Sequence, residues 1–257
     1  MIFVLMIGIT TTAGPRHYWH LWLHKNHYKI VEIDLRYTYF PFYEFVINHV
    51  KEDLKDYDVS MHSTTEALFS DNLASRKANQ HLLLAEIDIG KKIGAKQIVF
   101  HAPKFMGLDD LKEQADSIKF LKQASKDSKE KGIQLLLEYP TKGPFTEIEI
   151  LKEIFEMFPD LMMCMDVGHL VKVQETTENE KKVVDALKEK IIYLHINDSG
   201  DEKMTEHREF GDKEKHYLEI LSYLKEKCSL KKAIIEINNE DLAKKIHSSI
   251  KTIFDEP

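Results

Sequence analysis

Short apolar runs alternate along the chain with longer stretches in which apolar residues recur every three or four positions. The runs occupy residues 2–9, 30–35, 57–61, 97–101, 133–138, 161–166, 191–196 and 233–237. They are rich in Val and Ile, and most show no polar alternation. Such runs suit parallel strands covered on both faces, because neither face has to meet water. The intervening segments carry helical spacing. In 72–93, Leu82, Leu83, Ile87 and Ile93 form one stripe, and Gly94 follows as a stop signal. Residues 111–131 end the same way at Gly132. Residues 145–158 start around Thr146 and stop before Pro159, and 217–227 and 241–254 complete the series. Strand then helix, repeated eight times, predicts an α/β fold: a closed parallel (β/α)8 TIM barrel. No linker, low-complexity stretch or shift in composition interrupts 1–257, so the whole chain is expected to be a single barrel domain.

Two regions fit the helical pattern poorly. One is 11–28, with Trp19, Trp22 and four histidines; the other is 36–43, with Tyr37, Tyr39, Phe40 and Phe42. Both follow strands, which places them on the barrel face that carries active sites.

Composition narrows the function. The formal net charge is -7, which disfavours a general nucleic-acid-coating role, since phosphate binding needs clustered Lys and Arg. Cys164 and Cys228 sit in or beside apolar segments, a usage expected of a reduced, cytoplasmic protein. The opening residues 1–9 are apolar but short, with no basic leader, and read as a strand and not as a signal peptide. No apolar run reaches the roughly 18 residues that span a bilayer, so no membrane partner is expected.

The ends of the runs carry the chemistry. Run three ends beside His62, run four at His101, run five at Glu138, and run six at Asp166 with His169 three residues on. Run seven contains His195, with Asp198 just beyond; run eight contains Glu236. His207 and Gly211 stand in the loop after run seven. In a barrel these positions converge on one axis. Carboxylates converging there repel one another, and a divalent cation resolves the conflict. Imidazole with carboxylate suits zinc, manganese or iron. The donors are too many for one tetrahedral site and leave room for two or three ions, with a carboxylate bridging. A lone His or Glu at a strand end is usually a solvated or capping residue. Four together, Glu138, Asp166, His195 and Glu236, make that explanation a poor one. His17, His20, His24 and His27 are expected to pack or line the rim beside the aromatics. His49, His81, His216 and His247 are expected to be exposed on helices, and Asp34 to be a polar residue of the barrel mouth.

Several of these segments resemble a known superfamily. Ile98-Val99-Phe100-His101-Ala102-Pro103, Leu137-Glu138, Met165-Asp166-Val167-Gly168-His169 and His195-Ile196-Asn197-Asp198 are similar to strands of the xylose isomerase-like TIM barrels. That superfamily holds the sugar phosphate isomerase/epimerase and endonuclease IV families. His207-Arg208-Glu209-Phe210-Gly211 resembles its His-x-x-x-Gly segment, and Glu236 matches its closing strand. The resemblance implies that Glu138, Asp166, His195 and Glu236 are the shared metal quartet, with Glu138 and Glu236 also serving as catalytic acid and base. It implies that His62 and His101 are the ligands endonuclease IV adds for a second zinc. His169 and His207 match ligands of a third zinc, or else bind substrate. The aspartate expected two residues before His207 is replaced by Thr205, a departure from the three-metal pattern.

Two activities follow from the resemblance. The first is a divalent-metal-dependent sugar or sugar-phosphate isomerase/epimerase, using zinc or manganese and acting through an enediolate with the two glutamates as acid and base. The complete quartet and the acidic balance favour it, with the aromatic rim stacking on the sugar. The second is an endonuclease IV-like multinuclear zinc phosphodiesterase acting on abasic DNA, which the histidine set favours. It requires a wedge, for which Arg36, Tyr37, Tyr39 and Phe40 are candidates. A non-catalytic binding barrel is expected to have lost part of the quartet, and none of it is missing. The aromatics at the mouth also offer a surface for an oligomer.

Overall fold

The apolar runs become the staves of a closed barrel. Its strands are β1 (Met6–Thr12), β2 (Ile30–Asp34), β3 (Asp58–His62), β4 (Gln97–His101), β5 (Gln134–Glu138), β6 (Met162–Asp166), β7 (Ile191–Ile196) and β8 (Lys232–Ile235). Each pairs in parallel with the next, and β8 returns to pair with β1. The structure, a computed structural model, describes residues 6–12, 29–34, 51–52, 54–65, 68–102, 115–198, 210–237 and 240–254. The aromatic segments at 13–28 and 36–43, Thr205 and His207 lie outside the described residues.

Strand side chains alternate between the two faces. On one face Ile98 and Phe100, Leu135 and Leu137, Met163 and Met165 join the cluster that seats the helices. On the other, Ile30, Val99, Leu136, Cys164, Ile192, Tyr193 and Ile234 fill the barrel interior. This alternation positions the site. Two residues beyond Leu136 is Glu138; beyond Cys164, Asp166; beyond Tyr193, His195; beyond Ile234, Glu236; beyond Val99, His101. The filling of the barrel therefore ends in a layer of ionisable groups at the C-terminal rim.

The helices are α1 (Leu73–Ile93), α2 (Ala115–Glu130), α3 (Ile148–Met157), α4 (Val167–Gln174), α5 (Thr177–Leu187), α6 (Glu214–Lys227) and α7 (Glu240–Phe254). Helix α1 begins and ends as predicted. The Asn72 side chain accepts from the Ser75 amide, and Gly94 closes the helix at φ 82°. Its stripe is buried at Leu83, Ile87 and Ile93. Gly90 lets this helix lie close against the strands: a Cβ there would sit 3.2 Å from Met61 Sδ and 3.3 Å from both Ile133 Cδ1 and Ile98 Cδ1. Gly90→Leu is expected to cost about 1–3 kcal/mol by overpacking. A urea midpoint lowered at unchanged slope would report it.

The observed elements differ from the predicted ones at identifiable places. The segment 145–158 divides into a 3-10 turn, Pro144–Thr146, and α3, because Glu147 is extended (φ -86°, ψ 132°) and becomes the helix cap. Two helices, α4 and α5, fill the span between β6 and β7, where periodicity marked none. Helix α4 starts directly at the strand end, with Asp166 as its cap. It stops at Glu175 (φ 59°), and Thr176 caps α5 one residue later. Strand β1 runs past the predicted end at residue 9, because pairing with β2 continues through Thr10, Thr11 and Thr12, which carry no apolar signal. Strand β8 ends at Ile235, so Glu236 stands just past the strand and not within it. Among the described residues no helix is long and apolar enough to cross a membrane.

Candidate metal centre

Glu138 is the hub of the rim layer. It closes β5 with 3% of its surface exposed. Its Oε2 lies 3.2 Å from His62 Nε2 and 3.2 Å from His101 Nε2. Its Oε1 lies 3.4 Å from His195 Nδ1 and 3.8 Å from His169 Nδ1. The same His195 Nδ1 is 3.3 Å from Glu236 Oε2. The His62 ring stands 4.9 Å from that of His101 and is stacked 5.6 Å from that of His195.

Asp166 is fixed by the turn from β6 into α4. Its Oδ1 accepts from the His169 amide at 2.8 Å, and its Oδ2 accepts from Asn197 Nδ2 at 2.9 Å. Helix capping and site geometry thus use one carboxylate. His169 Nδ1 donates to the Tyr139 carbonyl at 2.8 Å, which leaves Nε2 as its acceptor-capable nitrogen, 3.6 Å from Asp166 Oδ2. Asp198 accepts from the Tyr217 hydroxyl at 2.8 Å and ties the end of β7 to α6.

One donor atom from each of Glu138, Asp166, His195 and Glu236 lies within 4.8 Å of the others, and all four residues are buried. His62, Glu138 and His195 form a second such group. Burial alone would raise the Glu138 carboxyl, but His101, His195 and His62 around it hold it well below its ordinary value. Burial opposes a charge on His62, yet Glu138, Glu32 and Glu236 push its pKa up to about 9. His195 is likewise raised against burial by Cys164, Glu32 and Glu236. Rings and carboxylates thus favour one another's charged forms here, an attraction that a divalent ion would replace with release of protons. Three carboxylates and one imidazole converging in a buried space form a donor set for a borderline or hard divalent cation. The buried cluster can therefore bind a metal ion.

Two features lay beyond the sequence reading. His216, expected to be exposed, is half-buried, and its Nε2 lies 2.9 Å from Oε1 of the buried Glu180. His81 is exposed as expected, and His247 is half-buried. The larger omission is Glu32, fully buried in β2. Its Oε2 accepts from the Tyr193 hydroxyl at 2.8 Å and lies 3.1 Å from His195 Nε2. A signal for it existed. Glu32 interrupts the run Ile30-Val31-Glu32-Ile33-Asp34 on the inward parity, and a charge inside a covered strand demands partners. Asp34, on the same parity, is buried at the end of β2.

The profile of the family described as xylose isomerase-like TIM barrel matches residues 22–253. The chain belongs to that family. Among solved structures of this xylose isomerase-like fold, a D-tagatose 3-epimerase-like protein superposes with a TM-score of 0.78 at 19% identity, covering 98% of this chain and 97% of its own. The TTHB071 protein of Thermus thermophilus, soaked with zinc chloride, gives 0.69 at 16% identity over 98% and 99% of the two chains. The D-psicose 3-epimerase of Clostridium cellulolyticum H10, with D-tagatose, gives 0.63 at 13% identity over 93% and 89%. At these identities the likeness is one of fold. No curated protein sequence matches the chain.

Proposed function

We propose that this chain is a divalent-metal-dependent sugar or sugar-phosphate isomerase/epimerase. The observation that carries the reading is the convergence of Glu138, Asp166, His195 and Glu236, with donor atoms within 4.8 Å of one another at the barrel rim. The epimerases among its structural neighbours support it. The four residues would hold one ion, manganese or zinc. When bound, such an ion polarises vicinal substrate oxygens and neutralises the carboxylates. The chain's own residues perform the proton transfers. One of the two carboxylates, Glu138 or Glu236, removes the proton from the carbon beside the substrate carbonyl. The other, entering as the carboxylic acid, gives its proton to the opposite face of the resulting enediolate and is left as the carboxylate, while the first keeps the abstracted proton. Their burial excludes bulk water from that intermediate. His169, and His207 from the loop that follows β7, would bind substrate oxygens.

A second reading, an endonuclease IV-like zinc phosphodiesterase, draws on one observation. His62 and His101 both place Nε2 at 3.2 Å from the same oxygen of Glu138, so the two rings and that carboxylate would offer ligands for a further ion. Metal-depleted protein separates the two. Titration with manganese or cobalt in heavy water, against a panel of ketoses and ketose phosphates, is expected to restore turnover at one equivalent. Deuterium should appear at the carbon beside the carbonyl by NMR. Two or more zinc ions per chain, together with cleavage of abasic DNA, would replace the first reading with the second.

A further inference from the structure

We propose that Glu32 is a positioning residue that selects which nitrogen of His195 faces the metal cluster. The inference rests on the metal-dependent reading above and deepens it. His195 has two ring nitrogens with different surroundings. Nδ1 faces the rim, 3.4 Å from Glu138 and 3.3 Å from Glu236. Nε2 points down the barrel, where both carboxylate oxygens of Glu32 lie 3.1 Å away. Both nitrogens face carboxylates, which only accept hydrogen bonds. Nε2 would keep its proton toward Glu32, while Nδ1, on the side of the Glu138 and Glu236 donors, is the nitrogen that would give its proton up on metal binding. In a neutral imidazole, the lone pair then falls on Nδ1, the atom beside Glu138 and Glu236. A hydrogen bond to the nitrogen opposite the ligand is how a histidine is held in a ligating tautomer and orientation.

Glu32 is itself held. The Tyr193 hydroxyl donates to its Oε2 at 2.8 Å. That commits the tyrosine proton, so the Ser60 hydroxyl, 2.5 Å from Tyr193 Oη, donates to the tyrosine oxygen. Ser60, Tyr193, Glu32 and His195 thus form one chain of hydrogen bonds through the barrel interior, and all four are fully buried. The first three lie among the apolar side chains that fill the barrel below the rim. A carboxylate placed there solely as filling would be worse than leucine; its use lies in what it accepts from.

Zinc affinity of Glu32→Gln, Glu32→Leu and Tyr193→Phe tests this, measured by competition with a chromogenic chelator. The nitrogen spectrum of 15N-histidine-labelled, zinc-loaded wild type is recorded alongside. Glu32→Leu is expected to lose about 10–100-fold in zinc affinity. Glu32→Gln keeps one acceptor oxygen without the charge and should fall between it and wild type. Tyr193→Phe removes the hydroxyl that holds Glu32 and keeps the ring that stands edge-on to His195, and should lose a few-fold. In wild type, His195 should show a protonated Nε2 and a zinc-shifted Nδ1. A zinc-shifted Nε2 overturns the inference without recourse to any variant. So does wild-type zinc affinity in folded Glu32→Leu and Tyr193→Phe, and that result leaves the metal centre standing. A wild type that binds no divalent ion overturns the metal centre itself and this inference with it.

Discussion

Glu138→Ala is expected to abolish turnover, lowering kcat/KM by at least about 10³-fold, since it removes a group proposed both to move a proton and to hold the ion. Four histidines, His62, His101, His169 and His195, approach its two oxygens at 3.2–3.8 Å. Its loss therefore strips the site of a shared counter-charge. Metal content after equilibrium dialysis should fall with activity. Glu138→Gln sharpens the test: it keeps the shape and one acceptor oxygen but removes the charge. It should retain the fold by circular dichroism while losing activity to a similar degree. Full activity and full metal content in Glu138→Ala would refute the site.

Phe100→Ala is expected to have the largest effect on stability, about 3–5 kcal/mol. Phe100 is fully buried in the outer cluster, between Val99 inside the barrel and His101 at the rim. Deleting its ring leaves a cavity that the flanking strands cannot close, because each is pinned by ladder hydrogen bonds on both sides. Against a total near 5–15 kcal/mol, the loss is a large share. Urea unfolding should show it as a lower midpoint. Metal binding at saturating ion should persist below that midpoint, since the side chain points away from the site. A loss below about 1 kcal/mol would contradict close packing at this position.

Much of this protein was legible because its chemistry obeys a short period. Strands covered on both faces read as unbroken apolar runs, and seven of the eight lie within a residue or two of their predicted places. Strand β1 is the exception, since three threonines that complete its pairing carry no apolar signal. Helix α4 was hidden for a related reason: it begins directly after the last residue of β6, and its cap, Asp166, also belongs to the buried rim cluster.

The sequence by itself determined the eight-fold alternation and the ionisable residues at the ends of the runs. From those, Glu138, Asp166, His195 and Glu236 could be named as a set, because a barrel brings all strand ends to one rim. Only the tertiary structure decided which atoms meet. Glu138 serves two groups at once, one oxygen toward His62 and His101 and the other toward His195. His195 turns Nδ1 up to the carboxylates and Nε2 down to Glu32, a residue 163 positions away. Spacing along a chain sets which face of a strand a side chain occupies. It does not set the depth at which inward residues of different strands meet, because that depends on the stagger of the closed barrel.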